Sequence, residues 1–345
     1  VKEANRMTLS ARSCRIGLMG LGQIGRQIFR LAAARPDLEI VAVADIGKPE
    51  VLRYLLETTG EDFSCRLEGN HLRGPGFSAR MLQLAGPGDV PWDAFGVDCV
   101  IDATGRFRAR AHAERQLAAG AGRLLYATLC EEPPDRLLVP GINDAGARLT
   151  DRVVSAGSPT TNAFALLVDA VDRAFGVEYA SMTSIHAYTS DQPLQDYAQG
   201  DERRSRSAAQ NIIPNANQSA AWVERLLPHL AGRLSGLALN VPVQRGSLLD
   251  VDFVLAKDAV GIDVVNAALI AAAADRPALI GIATDPIVSS DVIGCSQSLL
   301  FDTQATQRAG RRLLKTLGWY ETLGHASRVL EVAAVYAGLD NGDRA

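Results

Sequence analysis

An apolar run, Ile16-Gly17-Leu18-Met19, leads into Gly20-Leu21-Gly22-Gln23-Ile24-Gly25, after which Ile28, Leu31 and Ala32 recur at helical spacing. A second apolar run, Ile40-Val41-Ala42-Val43-Ala44, ends on Asp45. Strand, glycine turn, helix and strand make a βαβ unit, and this constrains the chain more than any other feature because it calls for a parallel sheet. A Gly-x-Gly-x-x-Gly turn is weak by itself. Placed between strand and helix, with an acid about 20 to 25 residues on, it reads as a dinucleotide site. Gly20, Gly22 and Gly25 let the backbone approach a pyrophosphate at the positive end of the helix that Gln23 and Ile24 begin. Asp45 can accept from both ribose hydroxyls and repels a 2′-phosphate, so NAD is expected rather than NADP.

Further along, Val97-Asp98-Cys99-Val100-Ile101-Asp102 reads as another buried strand closing on Ala103-Thr104-Gly105, followed by a helix through Ala111 to Leu117 and a strand from Leu124 to Leu129. Strands alternating with helices to about residue 150 predict an α/β architecture with a doubly wound, Rossmann-type parallel sheet. Its ligands sit at the carboxyl ends of the strands, where Thr104, Gly105 and Thr128 fall. After Ser158 the texture becomes α+β. A long helix is expected from Asn162 to Phe175, with strands over Ser181–Ala187, Gly236–Val241 and Ser247–Leu255. The polar stretch from Tyr188 to Asn211 is too long for an ordinary connection and is therefore expected to be functional or disordered.

Composition narrows the functional classes. The 345 residues are 47% hydrophobic and 21% charged, with Asp+Glu 39 against Lys+Arg 35 and a net charge of −4. Such a chain is long enough for two domains, and it lacks the basic excess of a nucleic-acid binder. Cys14, Cys65, Cys99, Cys130 and Cys295 show no CxxC pair and no metal-ligand spacing, so no metal is expected and the thiols read as reduced. Val1 to Ser13 is charged and no later apolar run reaches spanning length, so a cytoplasmic protein without membrane partners is expected.

Several ordered segments resemble the phosphorylating glyceraldehyde-3-phosphate dehydrogenase family: Ser158-Pro159-Thr160-Thr161-Asn162, Ile185-His186-Ala187-Tyr188-Thr189, Asn211-Ile212-Ile213-Pro214, Thr284 to Asp291, Trp319-Tyr320 and Ser327-Arg328-Val329. The glycine turn, Asp45 and Ala103-Thr104-Gly105 complete the cofactor half. The resemblance runs nearly end to end. It implies a dinucleotide-binding domain over residues 14–158 together with 325–345, closed by a C-terminal helix at about Ser327 to Ala337, a catalytic domain over 159–324, and a homotetramer.

The departures matter more than the matches. The family's nucleophilic cysteine falls at Pro159, which offers neither a thiol nor a backbone donor. Ser158 is adjacent, but its hydroxyl needs an aligned base and its place matches a substrate-phosphate contact. His186, the family's base, survives and can still move the proton that accompanies hydride transfer. The resemblance further implies substrate contacts from Thr161, Thr189, Asp191, Arg206, Asn217 and Asn240. Asp191 stands where a second threonine is expected, Asn240 where an arginine is expected, and Asn217-Gln218 replace Thr-Gly. A carboxylate gained and a guanidinium lost weaken phosphate recognition; Arg204 and Arg245 are further cations of the same region. At the nicotinamide end Thr322 stands in place of an asparagine, Gln23 replaces an arginine, and Ala85-Gly86 replace another near the adenine. Cys130, at a strand end, reads as packing.

Three functions stay open. One is an NAD-dependent oxidoreductase acting on a different small polar carbonyl or alcohol, with His186 as acid and base. Another is a catalytically inactive NAD-binding regulatory or interaction protein. A third is a non-redox lyase, cyclase or isomerase on the same fold.

Overall fold

In the structure, a computed structural model that describes residues 13–58, 63–84 and 86–343, the first segment is a strand, β1 (Cys14–Met19), that turns at the glycines into helix α1 (Gln23–Ala33). Residues before Ser13, and Ala85, lie outside the described residues. Strand β2 (Leu38–Asp45) follows, then α2 (Pro49–Thr58), β3 (Arg66–Glu68), β4 (His71–Gly74), β5 (Phe77–Gln83), β6 (Cys99–Asp102), α3 (Arg110–Ala118), β7 (Arg123–Tyr126), β8 (Arg136–Leu137) and β9 (Val153–Ser155). Among the described residues these strands form one sheet in the order β3-β4-β5-β2-β1-β6-β7-β9-β8. The run from β5 to β9 is parallel, and β3, β4 and β5 add an antiparallel edge. The chain winds outward from β1 to β2, then resumes at β6 on the other side of β1. The carboxyl ends of β1 and β6 therefore flank the crevice in which such sheets bind ligands. Ile16 and Leu18 are fully buried, and α1 turns Ile28, Phe29 and Ala32 inward, so the βαβ unit predicted from periodicity is present.

The second set of elements is α4 (Pro159–Phe175), β10 (Val177–Ala187), β11 (Ile213–Ala216), α5 (Ser219–Leu226), β12 (Leu234–Val241), β13 (Ser247–Leu255), α6 (Ile262–Asp275), β14 (Ile280–Ala283), β15 (Leu299–Ala309), β16 (Leu313–Tyr320) and α7 (Thr322–Asp343). Their strands pair as β11-β12-β10-β13-β16-β15-β14, a mixed sheet. Helix α4 is buried along most of its length against this sheet's inner residues, among them Met182, Leu249, Phe253 and Phe301. It starts three residues before the expected Asn162. Proline is well placed at a helix's first position, and the Ser158 hydroxyl caps the turn by accepting from Thr161 N at 3.1 Å. Helix α7 likewise exceeds its expected span at both ends.

The chain divides into two compact units. One comprises residues up to Arg136, Gly146–Ala156 and those from Val329 onward; the other comprises Leu137–Ala145 and Gly157–Arg328. Within the first, the end of α7 is clasped to the sheet: buried Arg123 pairs with Asp340 at 2.8 Å, lies over the Tyr336 ring at 4.3 Å, and Tyr336 OH donates to Asp151 at 2.8 Å. No helix among the described residues is long and apolar enough to cross a membrane.

Candidate functional site

The glycine turn has the shape a dinucleotide requires. Gly20 sits at φ +90, and a Cβ on Gly25 would lie 2.0 Å from the Gly20 carbonyl oxygen, so the turn brings helix and strand closer than any side chain allows. A Cβ on Gly22 would meet nothing within 4 Å, leaving the approach to α1 open at its N-terminus, where Gln23 and Ile24 are half-buried. Asp45 is held in place from two sides: Leu21 N donates to Oδ2 and Gly47 N to Oδ1, each at 2.7 Å. Each carboxylate oxygen retains lone-pair capacity for a ribose hydroxyl. The residues present fit NAD.

At the end of β6 the arrangement turns inward. Thr104 directs both its amide, at 2.9 Å, and its hydroxyl, at 2.6 Å, to Oδ1 of buried Asp102. Gly105 follows at φ +67, and the Thr128 carbonyl accepts from Ser155 Oγ at 2.7 Å. Asp102 Oδ2 has no partner among the described residues. Burial pushes this carboxyl up to about 6, against the Thr104 hydrogen bonds and the nearby His112, which pull it down. The folded protein therefore holds a proton that the unfolded chain has released between about pH 4 and 6. This contribution to stability is complete below pH 4 and is lost as pH rises through 6. Asp102→Asn keeps the acceptor for Thr104 and removes the titration. In urea unfolding, the wild type should lose about 2 to 3 kcal/mol between pH 4 and 7 relative to the variant. Parallel curves would refute the assignment.

In the second unit His186 lies near the end of β10, half-buried, with Nδ1 2.5 Å from the Ala187 carbonyl oxygen. The contact fixes the tautomer: a proton on Nδ1 is donated to that carbonyl, and Nε2 carries the lone pair. Burial pushes the imidazole below its ordinary range, opposed by the bond to Ala187; nearby Arg204 adds to the lowering and Asp191 opposes it. Asn240, opposite His186 in register on β12, donates to the same carbonyl at 3.2 Å and accepts from Asn215. Beside the imidazole stands Tyr320, its ring 6.1 Å away and edge-on, with a buried hydroxyl bonded to Ser184 at 2.7 Å and Thr160 at 3.0 Å.

Around the start of α4 runs a hydroxyl chain. Ser158 Oγ meets Thr161 Oγ1 at 2.8 Å, Thr161 Oγ1 donates to Ser219 Oγ at 3.0 Å, and Ser219 N donates to Asn217 Oδ1 at 2.7 Å. Ser158, Thr161 and Asn217 are thus brought together. Arg206 instead pairs with Asp196 at 3.0 Å on an exposed part of the 188–211 stretch. That stretch has no strand or α-helix, but ion pairs and side-chain bonds to backbone organise it. Thr189 donates to Asp191, which also pairs with Arg204. Thr322 Oγ1 donates at 3.1 Å to Glu321, a buried acid that caps α7 through Leu323 N and pairs with Arg245.

Sequence reasoning passed over Tyr320 as a site residue, and also Ser184, Ser219, Gln192 and the Glu321–Arg245 pair. The Trp319-Tyr320 motif was the one available signal. The cysteines offer no substitute nucleophile: Cys130 is buried with its thiol pushed up to about 12, Cys65 is pushed up to about 11, and burial raises Cys99 and Cys295 as well.

Two family models match the chain: the glyceraldehyde 3-phosphate dehydrogenase NAD binding domain over residues 14–110 and the C-terminal domain of the same family over residues 158–322. The chain is 36% identical over 327 residues to the glyceraldehyde-3-phosphate dehydrogenase of Streptomyces coelicolor, an alignment covering 92% of this chain and 97% of that one. The enzymes of the same name from Pseudomonas aeruginosa and Geobacillus stearothermophilus are 36% and 34% identical, each over 94% of this chain and 98% of their own.

Proposed function

Because this chain belongs to the glyceraldehyde-3-phosphate dehydrogenase family and binds NAD, yet carries Pro159 at the head of α4, we propose that it is an oxidoreductase without thiol chemistry, acting on a different small polar alcohol or carbonyl. The observation that carries this reading is the held tautomer of His186, a neutral imidazole with Nε2 available as a base. NAD supplies the hydride acceptor or donor. In the oxidative direction His186 Nε2 takes the hydroxyl proton as hydride leaves the carbon and the carbonyl forms; in the reverse direction it returns that proton. Tyr320, raised by burial and bonded to Ser184 and Thr160, stays neutral and buttresses the imidazole. Asn240, bonded to the Ala187 carbonyl and to Asn215, adds a neutral amide beside the imidazole where a guanidinium would favour an anion. NADH formation across a panel of small polyols and hydroxyaldehydes tests the proposal: turnover with any of them supports it, and none across the panel refutes it. The latter result favours a second reading, an inactive NAD-binding protein, which the internal bonding of Ser158, Thr161, Arg204, Arg206 and Arg245 supports.

Asp45 makes the cofactor preference measurable. Calorimetric titration should give NAD a dissociation constant at least about tenfold below that of NADP, a difference of about 1.4 kcal/mol. Equal affinities would overturn the role given to Asp45.

A homotetramer is part of the same proposal. Across five neighbouring strands, Leu239, Ile185, Leu248, Trp319 and Leu300 stand in register on the sheet face opposite α4, α5 and α6, all half-exposed. An apolar row of that breadth suits burial against a second copy. Light scattering should return four times the chain mass, and Leu248→Arg should reduce it. A monomeric wild type would refute the assembly.

A further inference from the structure

The turn that follows β10 gathers an unusual donor set around one of the chain's own carboxylates. Thr189 Oγ1 donates to Asp191 Oδ1, and Arg204 donates through Nη2 to Asp191 Oδ2, so each oxygen has its own donor. Gln199 Nε2 ties the Asp191 carbonyl at 3.0 Å, and Arg204 is fixed in turn by its backbone amide, which donates to Asp201 Oδ1 at 2.8 Å. A hydroxyl and a guanidinium converging on one oxyanion are the groups with which proteins bind a ligand's phosphate or carboxylate. Here an aspartate occupies their focus. Thr189 and Asp191 follow His186 by three and five residues, just past the end of β10, and the charges of Asp191 and Arg204 both bear on its imidazole. Arg206 and Arg245 are committed to Asp196 and Glu321, and Arg203 is exposed.

We propose that Asp191 is a tethered counter-ion filling the anion seat formed by Thr189 and Arg204, so that the substrate group received beside His186 is uncharged or cationic. This deepens the oxidoreductase reading and rests on His186 being its reacting base. Asp191 is 63% exposed, so its pairing adds little to stability; what it fixes is the sign of charge presented to a ligand. Arg204 is neutralised, and an entering phosphate must either expel the carboxylate or lie against it. The buried polar groups nearby, Gln192 and Asn240, are neutral. Gln192 is 5% exposed, accepts from Thr189 N at 3.1 Å, and keeps Nε2 without a partner among the described residues. Like the neutral amide of Asn240, it suits a hydroxyl or carbonyl oxygen rather than an anion.

Titration of inorganic phosphate at low ionic strength, followed by calorimetry, tests the seat in wild type, Asp191→Ala, Asp191→Asn and the double variant Asp191→Ala with Arg204→Ala. Asp191→Asn preserves side-chain shape and guards against collapse of the turn. Both single variants should bind phosphate at least about tenfold more tightly than wild type, and the double variant should lose the gain. Wild-type binding as tight as that of Asp191→Ala would overturn the proposal, as would a gain that survives removal of Arg204 or no gain in either single variant. The titration needs neither NAD nor turnover, so its outcome is separate from that of the redox reading.

Discussion

Supplied with NAD, glyceraldehyde-3-phosphate and inorganic phosphate, the protein should form acyl phosphate at a rate at least about a thousandfold below that of family members bearing the thiol. Pro159 is the first residue of α4 and supplies neither a nucleophile nor an N–H. The neighbouring hydroxyl of Ser158 caps the helix and meets Thr161 rather than a base. Pro159→Cys should fold, because the first helical position tolerates most residues, and the helix N-terminus favours a thiolate. It should nevertheless recover less than about a tenth of the family rate, since Asp191 and Asn240 still stand where the resemblance implies a threonine and an arginine for binding phosphate. Initial rates decide the matter. A family-like rate in the wild type would show that this site does not need the thiol, and full recovery in the single variant would show that its absence alone sets the site apart; either result would overturn the reading of Asp191 and Asn240.

His186→Ala should lower turnover of the cognate substrate at least about a hundredfold, the lower range for losing a positioned acid or base, while leaving NAD affinity unchanged. The pH profile carries further information. An imidazole pushed down by burial remains a base at pH values where an exposed histidine is already protonated. In the oxidative direction the rate should hold steady through neutrality and fall only below pH about 6.5, the ordinary histidine value. A break above that value, or full activity in the alanine variant, would remove His186 from the reaction.

The glycine turn, Asp45 and the alternating strands of the first unit were legible because their signals are local. A φ that glycine tolerates, an apolar run or a helical spacing can be read within a dozen residues. Thr104 shows the limit. Its place at a strand end was clear, but its hydroxyl turns to Asp102, and which way a side chain turns depends on the burial of its neighbours. Tyr320 gathers Thr160 and Ser184 from positions 160 and 136 residues away, so its role follows from strand register that no window of sequence contains. The same holds for Arg245 and Glu321, 76 residues apart. The starts of α4 and α7 both precede the expected ones, because each is set by a cap, Ser158 in one and the Glu321 carboxylate in the other, whereas apolar spacing marks only the turns that follow. Between Tyr188 and Asn211, length alone suggested function or disorder, whereas pairing of the segment's charges with one another gives it its form.

The clasp between Arg123 and the end of α7 bears on how the protein is made. The ribosome releases β1, α1 and β2 first, then the whole of Gly157–Arg328, and only afterwards the residues carrying Tyr336 and Asp340. Until then the buried Arg123 guanidinium lacks its counter-charge, and leaving a buried charge without its partner destabilises a fold strongly. The nascent first unit must wait, part-formed, while the second unit, nearly continuous in sequence, can fold ahead of it. Ribosome-bound chains stalled after Arg328 should show protease-resistant residues 157–328 and a cleavable first unit. Release of α7 should then confer resistance on both, and an early-resistant first unit in the stalled chains would count against this order.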